Sequence, residues 1–379
     1  MLTSKQRFLR ALRRETPDHL PATTHHVMPW FLERTLPGCD TQGFFDRFGL
    51  DPILWCAPLM PNAARGEYLD AHGRIVSDAW RVYTETLSGG GACRVERVTI
   101  ATPGGDLTAV LEHNEQTTWI KEHFLKEKRD IALLGECVTH PVYDVAEINR
   151  AAAEFGERGL VRGTLMPCFD FFGQPGCWQD AACMFGIQRL IETALEDPAW
   201  VHELLGILLE RKLTAAQSLA GAAFDLVEFG GGDASSTVIS PALFDAFVAP
   251  FDRRIIAALH DAGQRVVYHT CGGMMPILER IVDMGPDAIE TLTPPGMGGD
   301  TDLAEAKRRV GDRVCLIGGF DQYHFFTGCT PEATRAEVRR CFEAAGEGGG
   351  FILAPSDHFF EAEPALLEAF AGEARACTY

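Results

Sequence analysis

From residue 160 onward the chain alternates short apolar runs with longer amphipathic stretches, and this rhythm narrows the fold sharply. Strands are predicted at Leu160–Leu165, Phe224–Phe229, Arg265–Thr270, Asp287–Thr291, Arg313–Ile317 and Phe351–Ala354. Helices are predicted between and after them, over 198–220, 241–262, 275–284, 302–309, 331–345 and 363–374. Ser240-Pro241 and Thr330-Pro331 each supply a cap and a first-turn proline. Repeated strand–helix units imply parallel strands joined by right-handed crossovers. Two earlier candidates, Ala22–His26 and Asp51–Cys56, bring the count to eight. The expected fold is α/β: a single (β/α)8 TIM barrel over 1–379, with a β-hairpin insertion at about 57–145, where glycine clusters and alternating runs replace the helical pattern.

At 379 residues the chain is long enough to bury roughly 75% of its unfolded surface, so a core needs no disulfide or metal staple. Its net charge is −19, and the first 14 residues carry five basic side chains and no acid, which leaves −24 for the rest. Such a field repels a phosphate backbone and excludes nucleic acid as an expected partner. The basic start runs directly into the turn Thr16-Pro17-Asp18 and reads as an opening helix. No apolar run reaches the ~18–20 residues that span a bilayer. A membrane is therefore not expected, and the expected location is the cytoplasm. The twelve cysteines are scattered, form no CxxC pair, and read as reduced.

In barrels of this type functional side chains gather at the C-terminal ends of strands. The sharpest such segment is Val267-Tyr268-His269-Thr270-Cys271-Gly272-Gly273. Residues two apart on a strand share a side, so His269 and Cys271 project together, half of a tetrahedral metal site. The competing reading is a core histidine beside a core cysteine.

The segments GGGDASSTVISPALFDAFVAPF, HTCGG, GGFDQ and GGGFILAPSDH, with the start KQRFLRALRRETPDHLP, resemble the uroporphyrinogen decarboxylase superfamily. The resemblance implies a (β/α)8 barrel and two branches: true decarboxylases, and zinc-dependent methyltransferases that exchange a methyl group with a corrinoid protein. Decarboxylases carry an early MRQAGR-like motif that clamps carboxylates; here Thr23–Trp30 holds no arginine. The HxC pattern is that of the methyltransferases, and it implies that His269 and Cys271 bind zinc. That branch places a cysteine after the last strand, where this chain has Ser356-Asp357-His358. Either Asp357 or His358 takes its place, or the site does not activate a thiol.

Glu290, at the next strand end, is a further candidate for the metal shell. Glu228 and Asp233, flanking Gly230–Gly232, are candidates to orient substrate or act as general acid or base, with a capped glycine turn as the alternative. His25, His26, Asp170 and Phe359 are candidates to contact substrate, alongside the neighbouring phenylalanines 169, 171, 172 and 360. The expected function is a zinc-dependent methyltransferase with one zinc per chain. It would move a methyl group between a small donor or acceptor and a corrinoid supplied by a separate protein, since no DxHxxG corrinoid-binding motif is present. A corrinoid protein and a second copy of the chain stand as candidate partners. Decarboxylation of a tetrapyrrole or small acid, and ligand binding without turnover, are the alternatives.

Overall fold

The computed structural model describes residues 1–166 and 175–379. At its centre lies a curled, all-parallel sheet of seven strands in sequential order: β1 (Ile53–Trp55), β2 (Leu160–Thr164), β3 (Leu226–Gly230), β4 (Val266–His269), β5 (Ala288–Thr291), β6 (Cys315–Phe320) and β7 (Phe351–Pro355). Helices follow the strands along the chain, among them α1 (Cys177–Phe185), α2 (Pro198–Ser218), α3 (Ala249–Asp261), α4 (Leu303–Val310), α5 (Pro331–Ala345) and α6 (Pro364–Ala376). Strands buried on both faces read as continuous apolar runs, and β3 to β7 are buried throughout.

The expected strand Ala22–His26 is not part of this sheet. Ala22 makes one parallel bridge, to Leu353 of β7, flanked by hydrogen bonds from Leu353 N to Pro21 O and from Thr23 N to Leu353 O. On the other side Asp51 N donates to Ala22 O, while Ala22 N is taken by the Asp51 carboxylate at 3.1 Å. Pro21 has no N–H, and a side chain has captured its neighbour's, so no ladder extends there. The expectation of eight laddered strands is thereby corrected to seven among the described residues.

The predicted helix over 241–262 is also interrupted. Ser240 caps it by accepting from Leu243 N, but Phe244–Val248 form a π-turn before α3 begins. Pro250 cannot donate the next helical bond, and a π-bulge relieves the mismatch. Between β1 and β2 an antiparallel sheet runs through Arg81–Gly89, Arg94–Thr102, Gly105–His113 and Thr118–Glu122. Val82, Val98, Ile100, Leu107 and Leu111 on its inner side belong to the same apolar core as the parallel strands. No disulfide joins the cysteines among the described residues. No helix among them is long and apolar enough to cross a membrane.

Candidate functional site

The register of the parallel strands sets the site. Arg162 pairs with Leu226, Glu228 with Thr164 and Val267, and His269 with Gly230 and Glu290. Alternation along each strand then turns Arg162, Glu228, His269 and Glu290 to one side. There they meet His25, which follows the bridge at Ala22. All five are buried.

Two carboxylate oxygens organise the group. Glu228 Oε2 lies 2.8 Å from His25 Nε2 and accepts from Arg162 Nη2 at 2.7 Å. Glu290 Oε1 accepts from the same Nη2, lies 2.8 Å from His269 Nδ1 and sits 3.4 Å from His25 Nε2. Burial alone would raise both glutamates. The cations overcome it, Arg162 and His25 foremost at Glu290, and His25, Arg162 and His269 at Glu228, holding both well below the usual carboxylate range. Burial opposes charge on His269, but Cys271, Glu228 and the bond to Glu290 outweigh it and hold its pKa well above the ordinary value. His25 is raised likewise: the two glutamates overcome its burial. The guanidinium of Arg162 also lies 4.5 Å from the centre of the Trp55 ring, and Trp55 Nε1 donates to His25 O at 2.8 Å.

An ionised carboxylate only accepts, so the Glu290 contact places a hydrogen of His269 on Nδ1. Nε2 is left facing Cys271 Sγ, 3.1 Å away. A nitrogen and a sulfur bound to one tetrahedral zinc stand about 3.5 Å apart, from the usual bond lengths. The imidazole held by a carboxylate on its far nitrogen is how metal-binding histidines are oriented. The group of ligand type gathered among the described residues is His25, Glu228, His269 and Glu290, whose donor atoms lie within 4.8 Å of one another and could hold a metal ion. Its carboxylate oxygens are already engaged by Arg162. His269 and Cys271 by themselves supply two donors, one nitrogen and one sulfur, a pairing that borderline metals accept.

The other candidates fall in different places. Glu290 supports His269 from behind. Asp357 and His358 are half-buried and paired, His358 Nδ1 lying 2.9 Å from Asp357 Oδ1. Burial works against the Asp357 charge, yet His358 beside it and His269 beyond it lower its pKa. Asp233 accepts from Gln179 Nε2 at 2.9 Å, and burial pushes its carboxyl up. His26 is exposed and stacks on Trp55, ring centres 4.4 Å apart. The Phe359 ring is buried against Phe31 and Phe326, so much of it is core, whereas Phe360 stands beside Trp30 and His358. Asp357, His358, Phe359 and Phe360 line one groove with Met297 and Tyr323. Asp170 and its neighbours at 167–174 lie outside the described residues. Arg162 and Trp55 were not anticipated from the sequence. The available signal was an arginine inside an apolar strand, Leu160-Val161-Arg162-Gly163-Thr164, where a charge needs a buried partner.

Residues 160–374, more than half of the chain, match the model of the family described as Uroporphyrinogen decarboxylase (URO-D). The chain belongs to the URO-D family. Among its curated relatives are the uroporphyrinogen decarboxylase of Neisseria meningitidis serogroup C, strain 053442, 32% identical over 201 residues with 50% of this chain and 52% of that one covered. That of Methylibium petroleiphilum is 30% identical over 250 residues, covering 61% and 62%. The chain thus spans about half the length of the first of these relatives and less than two thirds of the other. Among solved structures, a methyltransferase from Methanosarcina mazei superposes with a TM-score of 0.63 at 15% identity, over 99% of this chain and 98% of that one. At that identity the likeness speaks for the fold alone.

Proposed function

We propose that this URO-D family member is a zinc-dependent methyltransferase, moving a methyl group between a small methylated substrate or thiol and a corrinoid carried by a separate protein. The observation that supports it is the His269 imidazole, clamped by Glu290 on Nδ1 and presenting Nε2 beside Cys271 Sγ at 3.1 Å. In this reading His269 and Cys271, with Asp357 or His358, hold one zinc ion. Zinc supplies Lewis acidity to the heteroatom that loses or gains the methyl group.

The remaining work belongs to the chain's own side chains. Glu290 fixes the tautomer and direction of His269. Asp233, its carboxyl raised by burial and accepting from Gln179, stands near the strand ends. Met297, Tyr323 and Phe360 give the groove beside Asp357 and His358 an apolar wall for the body of a small substrate.

The relatives' names favour a second reading, decarboxylation of a porphyrinogen. A substrate with several carboxylates needs free guanidinium partners. At this site Arg162 is committed to Glu228 and Glu290, and His25-His26 stand where an arginine motif would be. The test runs both reactions on the zinc-supplemented protein: methyl transfer from methylated thiols and methyl ethers to cob(I)alamin, and carbon dioxide release from uroporphyrinogen. Methyl transfer that Cys271→Ala abolishes is expected. Decarboxylation that survives Cys271→Ala contradicts the proposal, and tight substrate binding without either reaction favours a ligand-binding barrel.

A further inference from the structure

Arg162 is buried among groups that could themselves hold a cation. A single nitrogen, Nη2, contacts both Glu228 Oε2 and Glu290 Oε1. These same oxygens face His25, and the second of them also meets His269 Nδ1. Without a cation between them, two buried carboxylates this close repel one another, and each would turn toward whichever imidazole is nearer. Trp55 limits the guanidinium from one side, its ring centre 4.5 Å away, and the indole is anchored by its bond to His25 O. Arg162 therefore has one place to be.

We propose that Arg162 is a positioning residue: it pins Glu290 in the orientation that holds His269 Nδ1, and so aims Nε2 at the face shared with Cys271. The inference rests on the metal reading of His269 and Cys271. The path is short and directional, from Arg162 Nη2 to Glu290 Oε1 to His269 Nδ1, with Nε2 at its end. Because one nitrogen makes both contacts, a lysine ammonium can reproduce the bridge where a neutral side chain cannot.

The test is a cobalt(II) titration of the metal-stripped full chain, read by the near-ultraviolet thiolate-to-cobalt charge-transfer band, which reports Cys271 coordination whether or not the enzyme turns over. Wild type is expected to show the band, and Cys271→Ala to lack it. Arg162→Gln is expected to need about 10–100-fold more cobalt to develop it, the range typical of lost support behind a metal-binding histidine. Arg162→Lys is expected to titrate close to wild type. Should Arg162→Gln fail to fold by circular dichroism, Arg162→Gln with Glu228→Gln removes one buried charge of each sign and is expected to show the same weakening. A wild-type band with an unchanged titration in the folded neutral variant overturns the role of Arg162 alone. No band in the wild type overturns the metal reading, and this inference with it.

Discussion

Asp252 sits fully buried on α3, its Oδ2 accepting from Tyr268 at 2.9 Å and its Oδ1 without a partner. Burial pushes its carboxyl up to about 7, against the hydrogen bond from Tyr268 and the nearby Lys212 ammonium, which lower it. In the unfolded chain an aspartate titrates near 3.9. Between those values the folded protein keeps a proton that the unfolded chain has released. This group's contribution to stability is therefore full below about pH 4 and is lost as the pH rises through 7. Asp252→Asn removes that loss. In thermal melts the variant is expected to exceed wild type by on the order of 3 °C at pH 8 and to match it near pH 4; a lower Tm at pH 8 would contradict the assignment. His269 and Cys271 were expected on one side of a strand; β4 ends at His269, and Cys271 lies in the turn beyond it with its Sγ 3.1 Å from His269 Nε2. Arg162 was not legible, since its partners Glu228 and Glu290 lie 66 and 128 positions away and only the sheet register brings them together.

At the scale of elements, the strand ends are held open by glycine. Gly230 closes β3 with φ +127°, and a Cβ there would stand 2.2 Å from His269 O. Neither the dihedral nor the space admits a side chain. Gly230→Ala is expected to lower stability by roughly 3 kcal/mol or more, through strain at a special dihedral together with the clash. It should also displace the His269 strand end, so metal affinity falls along with Tm. A wild-type melt and affinity would show that the strands can part there at little cost. The parallel strands from 160 onward and most of the following helices were legible in the apolar rhythm. Ala22–His26 and the unbroken helix over 241–262 were not. The first fails because Pro21 lacks a donor and the Asp51 side chain captures Ala22 N, the second because Pro250 forces a π-turn. In both cases a local proline outranked the longer periodicity.

For the whole molecule, the insertion and the parallel sheet share one body of apolar side chains. Val82, Val98, Ile100 and Leu107 are buried in the same core as Val161, Val227 and Ile289. We infer that residues 57–145 do not form an independent unit. A fragment of that range alone is expected to show no cooperative thermal transition, and a sharp one would mark it as a separate domain.

His269 and Cys271 are expected to hold a metal, which is measured as metal content by mass spectrometry on untagged protein purified in zinc-supplemented, chelator-free buffer, beside Cys271→Ala. About one zinc per chain, lost in the variant, is the predicted result. Wild-type protein without metal under those conditions contradicts a metal site at His269 and Cys271, as does zinc retained in full by Cys271→Ala.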